Sequence, residues 1–329
     1  MVDISVVTVT YNHAPYIKEC LESILLQRTD YNFELIISDD SSTDGTTEIC
    51  DSFASKYPDK INFLRSEENV GPLNNLEKAI YQSNAKYICL CEGDDFWLDV
   101  SKIQKQVDFL EDNLDYGLVH SDINILDQKT NQTIFAYNKI NDITIPNGRI
   151  YDFLMHSSHP IKTMSVCLRR EIMDEYYFSN KKIMDSNWKL YDLSLWLIYS
   201  LHSKIYYFDE ALATYRLLPN SMSRSSNSFK QFKFHNNIFG ILFFFMREYP
   251  TSMSAKKSVI SSFLRTFFLY SLEFSDSKIF QSRFDKLRIY SKAISMYYHV
   301  INQLSKIPVL FKLMVMLRRS VIRIKSKKC

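Results

Sequence analysis

Tyr87-Ile-Cys-Leu-Cys-Glu-Gly-Asp-Asp-Phe-Trp97 decides how the chain is read. Five residues of strand character, Tyr87 to Cys91, run straight into an acidic cluster of Glu92, Asp94 and Asp95, with Gly93 inside it. A strand buried on both faces reads as a short apolar run, and in an open α/β sheet ligands collect beyond the carboxyl ends of the strands. Carboxylates at such an end, on a backbone that Gly93 lets turn tightly, have the oxygen chemistry to hold a divalent cation, and through it a phosphate. A solvated acidic turn capping the helix near Ser101 is the plainer alternative. The segments on either side decide between the two.

Upstream, Ile4-Ser-Val-Val-Thr-Val-Thr10 is rich in β-branched residues and ends in Tyr11-Asn12-His13. Pro15 suits a helix start, and Ile17, Cys20, Leu21, Ile24 and Leu25 fall at helical spacing. Phe33–Ser38 reads as a second strand, closed by the turn-forming loop Asp39-Asp-Ser-Ser-Thr-Asp-Gly45 before a helix over 46–57. One of Asp39 and Asp40 is expected to cap that helix. Ile61–Leu64 is a third strand, and a helix follows Asn69-Val-Gly-Pro72. Strands alternating with helices over short connections predict a parallel sheet covered on both faces. Polar clusters at 10–13, 39–45 and 92–95 then share one sheet edge, as a nucleotide cleft requires. No GxGxxG follows the first strand and no GxxxxGK[ST] occurs anywhere, which excludes a dinucleotide fingerprint and a P-loop.

Composition narrows the class further. In 329 residues, 46% are hydrophobic and 23% charged, the balance of a globular protein. A net charge of +3 does not suggest a nucleic-acid binder. The first residues lack the basic flank and apolar core of a signal peptide. Six cysteines show no CxxC or metal spacing, so they are expected to be reduced, in a cytoplasmic setting. The longest apolar run, Ile238 to Met246, is too short to span a bilayer.

After Trp97 the pattern gives a helix through Ile103, Val107 and Leu110, a strand at Leu118–Asp122, and irregular or hairpin structure over 123–150. Thr163–Leu168 is strand-like, Leu193–Leu201 a buried helix, and Ile205–Phe208 and Leu212–Tyr215 two short strands. Pro219 to Ser228 is the main break in composition, separating domain 1–226 from an aromatic-rich helical extension, 227–329. Its helices are expected at 229–249, 254–274 and 277–304. The last segment puts Leu310, Leu313, Met314, Leu317, Val321 and Ile324 on one face. The basic residues Lys312, Arg318, Arg319, Arg323, Lys325, Lys327 and Lys328 accompany them. Residues 307–328 therefore suit an anionic membrane surface, or a helix packed on its own domain with a solvated basic end.

These motifs resemble the family 2 glycosyltransferases, inverting enzymes of the GT-A fold that use nucleotide-activated sugars. The matching residues are Val7–Asn12, Ile37–Thr46, Glu92-Gly-Asp-Asp-Phe-Trp97, Tyr191-Asp192 and Tyr215-Arg216, over roughly residues 3–226. The resemblance implies a Rossmann-like sheet and a donor, with a UDP-sugar favoured. It implies that Thr10, Tyr11 and Asn12 line the nucleotide. Asp39 would accept a hydrogen bond from the base imide. Asp94 would lie near the ribose and sugar, and Asp95 would bind Mg²⁺ or Mn²⁺. Asp192 would be the catalytic base, and Tyr215-Arg216 would close near the diphosphate. Glu92 replaces the usual Asp of the acidic motif, and Leu218 stands where the family often has histidine.

Inverting transfer is one in-line displacement, so one carboxylate takes the acceptor proton while the leaving diphosphate is stabilised elsewhere. Asp94 and Asp95 are expected to stay ionised beside the cation. Asp192, next to Tyr191, Leu193 and Leu195, is expected to be partly desolvated, which favours a base; the plainer role is an N-cap of its helix. Phe96 and Trp97 are packing residues or an aromatic wall for the acceptor, a saccharide or lipid-linked saccharide. His120 and His159 are expected to be ordinary polar residues, and His13 lies near the base pocket. Two other readings share the fold: a sugar-nucleotide nucleotidyltransferase, which lacks its glycine-rich basic loop here, and an inactive domain serving as a scaffold on a membrane.

Overall fold

The computed structural model describes residues 2–156, 160–186, 188, 190–218 and 227–326. His159, residues 219–226 of the composition break, Lys327 and Lys328 lie outside the described residues. By internal contacts the chain divides into two compact units, Met1–Leu154 with Ser158–Ser225, and Met155–Ser157 with Ser226–Cys329.

In the first unit the strands are β1 Ile4–Thr10, β2 Phe33–Asp39, β3 Ile61–Arg65, β4 Tyr87–Leu90, β5 Phe96–Trp97, β6 Tyr116–Asp127, β7 Gln132–Ile134, β8 Cys167–Arg169 and β9 Lys204–Leu217. Its longer helices are α1 Ile17–Leu25, α2 Thr46–Lys56, α3 Pro72–Gln82, α4 Lys102–Asp112 and α5 Tyr191–His202. Among the described residues the strands form one sheet in the order β3-β2-β1-β4-β8-β6-β9-β5, with β7 on β6. The expected parallel sheet holds from β3 to β4. Beyond β4 it is mixed: β8 is antiparallel to β4 and β6, β9 is parallel to β6, and β5 is antiparallel to β9.

The central position of β1 explains its sequence. All seven of its residues are buried, because β2 and β4 flank it and α-helices cover its faces. Each fully buried Val or Ile there contributes about 1.5–3 kcal/mol. The two short strands expected at 205–215 are one long strand, β9, whose register against β6 shifts at Ser121/Asp122 and Asp122/Ile123. These irregularities bend the pair without ending it. The 123–150 stretch contributes the end of β6 and the β6–β7 hairpin. Thr163–Ser165 is a 3₁₀ turn, and the strand begins only at Cys167. Helix α5 is buried nearly all round, from Leu193 to Ser200, as its apolar run requires.

The second unit is helical: α6 Ser228–Glu248, α7 Met253–Glu273, α8 Ser277–Lys286, α9 Met296–Ser305 and α10 Pro308–Ser326. Asn227, Ser252 and Asp276 cap three of them by accepting first-turn amides. Interlocked rings of Phe232, Phe239, Phe263, Phe267 and Tyr270 hold α6 to α7. The single helix expected at 277–304 is broken by a 3₁₀ stretch, Arg288–Ala293, between α8 and α9.

Candidate active site

The acidic loop leaves β4 pressed against the end of β1. Cys91 N–H donates to the Val7 carbonyl at 3.1 Å and Gly93 N–H to the Val9 carbonyl at 3.0 Å, so the ladder continues past the strand. A Cβ at Gly93 would stand 2.7 Å from Thr10 Oγ1, 2.9 Å from Thr10 Cβ and 3.0 Å from His13 Nδ1. The glycine is therefore needed for close approach of two segments, and not for the tight turn read from the sequence. Gly93→Ala is expected to cost about 1–3 kcal/mol through overpacking. Thermal unfolding followed by circular dichroism checks this, and an unchanged midpoint would contradict the close approach.

Glu92, Asp94 and Asp95 each offer one carboxylate oxygen, and these atoms lie within 4.8 Å of one another. Asp95 is 1% exposed; its Oδ1 accepts the Arg216 amide at 2.7 Å, while its Oδ2 is buried with no partner. Burial, with Asp94 and Glu92 beside it, drives the Asp95 carboxyl well above its ordinary range. Burial pushes Glu92 up to about 8, with the charges of Asp94 and Asp192 adding to it. Three crowded carboxylates and an orphaned buried oxygen fit a hard divalent cation, which reverses this electrostatic cost and keeps the group ionised.

Arg216 holds the loop from behind. Its guanidinium donates to the Asp94 carbonyl at 2.8 Å, to Gln128 Oε1 at 2.9 Å and to Glu19 Oε2 at 2.5 Å, and it is 5% exposed. These contacts make it a positioning residue for the acidic loop. Tyr215 points to the other face of β9, by the two-residue period of a strand, and its ring lies 5.9 Å from the Lys162 ammonium. It packs, partly buried, against the core that runs through β1 and β4. Trp97 is also a core residue: 4% exposed, it donates from Nε1 to the Met164 carbonyl at 3.0 Å and lies 4.2 Å from the Lys102 ammonium.

The Thr10–Asn12 turn is fixed by the loop after β2. Asn12 takes the left-handed conformation, φ 56°, which asparagine tolerates. Its Oδ1 accepts the Thr43 amide at 2.8 Å, and its own amide donates to Ser42 Oγ at 2.9 Å. Tyr11 is left 44% exposed above this turn, and Thr10 Oγ1 is buried without a partner. Asp39 is 1% exposed, and its two oxygens accept from the hydroxyls of Ser42 and Thr47. It braces the loop through both oxygens. Asp40 accepts the Val70 and Gly71 amides at 2.7 and 2.9 Å, tying the same loop to the start of α3. Neither caps α2; Asp44, through Thr46, does the local work there.

Asp192 lies in the first turn of α5, behind the cap position Leu190, so the plain N-cap role does not describe it. One of its oxygens accepts the Leu193 amide at 2.8 Å. Its neighbour Tyr191, 7% exposed, donates from its hydroxyl to Glu92 Oε1 at 3.0 Å. That bond joins the start of α5 to the acidic loop across 99 positions and gives Glu92 a partner that the sequence did not reveal. Sequence reasoning also missed Glu19 and Gln128; neither stands in a motif, and only the fold brings them to Arg216. His120, read as an ordinary polar residue, is fully buried against the Tyr207 ring, and burial pushes its pKa down to about 3.

A family model described as Glycosyl transferase family 2 matches residues 5–177. The chain is 30% identical over 229 residues to Glycosyltransferase GlyG of Streptococcus pneumoniae, covering 68% of this chain and 73% of that one. Of the first curated relatives it matches, uncharacterized mycobacterial proteins 38% identical over 107 residues, it spans 31% of the length. Among solved structures it is similar to Staphylococcus aureus TarS 1–349 in complex with UDP-GlcNAc, with a TM-score of 0.60 at 15% identity over 95% of this chain and 89% of that one. It is similar also to the Pyrobaculum calidifontis mannosyltransferase PcManGT in complex with GDP-Man and Mn²⁺, with a TM-score of 0.56 at 14% identity over 95% and 86%. At these identities the two structures bear on the fold alone.

Proposed function

We propose, for a glycosyltransferase of glycosyl transferase family 2, to which this chain belongs, that it transfers a sugar with inversion from a UDP-sugar to a hydroxyl of a saccharide or lipid-linked saccharide. The observation that carries this reading is the acidic cluster with its orphaned Asp95 Oδ2, joined by the Tyr191–Glu92 bond to the turn bearing Asp192. The acceptor oxygen forms its bond to the anomeric carbon as the bond from that carbon to the β-phosphate oxygen breaks, and the electron pair leaves on UDP. The acceptor proton passes to the Asp192 carboxylate, the general base.

Asp95 and Asp94, with Glu92 alongside, would hold Mg²⁺ or Mn²⁺, which supplies positive charge against the departing diphosphate. Arg216 holds the Asp94 carbonyl with its guanidinium and Asp95 Oδ1 with its backbone N–H, so the carboxylates need not reorganise during transfer. Tyr11 and the Asn12 turn receive the nucleotide. The uridine preference rests on the family resemblance, in which Asp39 would accept a hydrogen bond from the base imide; each of its oxygens keeps a second lone pair beside its bond to Ser42 or Thr47. The five cysteines among the described residues are all free and buried, which supports a reducing, cytoplasmic setting.

The test is incubation with Mn²⁺ and a panel of UDP-, dTDP- and GDP-sugars. Release of UDP that stops on chelation is the expected result. Pyrophosphate-linked turnover would instead indicate a nucleotidyltransferase, and donor binding without release a scaffold.

A further inference from the structure

We propose that the surface formed by α9 and α10 docks on anionic lipid headgroups, lying along the membrane and not crossing it. Among the described residues no single helix is long and apolar enough to span a bilayer; α9 and the start of α10 reach that length and composition only together, across a bend of 109°. The sequence placed the apolar residues of the last helix on one face; the structure turns Met314 inward and leaves Leu313 and Leu317 outward, while the side chains of Val321 and Ile324 lie outside the described residues. Phe311, Met314 and Val315 pack on Phe268 and Leu272 of α7, and Arg318 pairs with Glu273 at 3.1 Å. That face is used.

A second apolar strip remains open. Val309, Leu313, Met316 and Leu317 are 76, 51, 64 and 58% exposed, at the spacing of one helical stripe. Ile307 at the bend and Val300 on α9 are also exposed, at 47 and 50%, so the proposed surface takes in α9 as well as the 307–328 span expected from the sequence. Contiguous exposed apolar side chains of this kind mark an interaction surface.

Charge selects the occupant. Residues 286–329 carry eleven Lys and Arg and no Asp or Glu, in a chain whose net charge is only +3. Lys306 and Lys312 are exposed beside the apolar strip. A second copy would bring like charge against like charge. A nucleic acid would satisfy the lysines but leave the apolar strip in water. An anionic bilayer surface offers phosphate to the one and acyl chains to the other. This surface does not depend on the transfer reaction, and its test uses no donor.

The full chain is mixed with phosphatidylcholine vesicles, with and without phosphatidylglycerol, and separated by flotation. Binding is expected to require phosphatidylglycerol and to weaken with salt. Each lysine near the surface is worth about fivefold in partitioning, so Lys306→Gln with Lys312→Gln is expected to lower it about 25-fold. Leu313→Ser with Leu317→Ser is expected to lower it by about tenfold or more, with an unchanged unfolding midpoint, because both side chains are already exposed. Equal binding to both vesicle types, or binding indifferent to both pairs of substitutions, overturns the proposal. So does a dimer, seen by light scattering without vesicles, that the leucine pair dissolves while the chain ignores lipid. Should the leucine pair unfold the protein, the lysine pair still decides.

Discussion

Asp192→Asn is expected to leave donor binding intact and to lower the rate of transfer by about 10²–10⁴-fold, the range contributed by a positioned general base. The amide has the shape of the carboxylate, and its oxygen still accepts the Leu193 amide that fixes the side chain in the first turn of α5. What it loses is the capacity to take a proton. Titration with UDP-sugar by calorimetry in the presence of Mn²⁺ should therefore give an unchanged affinity, while single-turnover transfer collapses. A variant that transfers at a rate near that of the parent would remove Asp192 from the reaction. One that loses affinity as well would place it in donor binding.

The second large effect belongs to Asp95→Asn. Its amide oxygen keeps the bond to the Arg216 backbone, so the loop has no reason to move. The orphaned Oδ2 is exchanged for an uncharged amide nitrogen, which no hard cation accepts. The loss in Mn²⁺-dependent UDP affinity should exceed the about 10–100-fold typical when only a residue supporting a metal ligand is changed. In the same variant without metal, relief of the cost of burying this charge, and of repulsion from Asp94 and Glu92, should raise the unfolding midpoint. UDP binding that Mn²⁺ strengthens as much as in the parent would exclude Asp95 as a ligand. The opposed signs with and without metal distinguish this from simple damage to the fold.

Much of this site was legible because it is written locally. β1 to β4 announce themselves by β-branched runs, and the polar clusters behind them follow from where such strands end. The acidic triad is contiguous, so its meeting required no tertiary information. The rest depends on long-range partners. Nothing near Asp39 says that Ser42 and Thr47 will occupy both of its oxygens, or that Asp40 will reach Val70 and Gly71. Arg216 looks like a free cation until β9 places it against Glu19 and Asp94. The mixed half of the sheet was equally hidden, because Cys167–Arg169 is too short to show which way it pairs. In the last helix the apolar residues were countable, but which of them would meet α7 depends on how α10 is rotated.

The Arg216 contacts also bear on the order in which the protein comes into being during synthesis. The acidic loop leaves the ribosome about 120 residues before the arginine whose amide and guanidinium bind Asp95 and Asp94. Arg216 in turn sits near the end of the long β6–β9 pairing, which joins segments far apart in the chain and is of the slow-forming kind. A nascent chain halted short of residue 216 carries every carboxylate of the cluster but lacks the brace that sets their spacing. The spacing proposed to hold a cation is thus expected only once the closing strand of the sheet is in place.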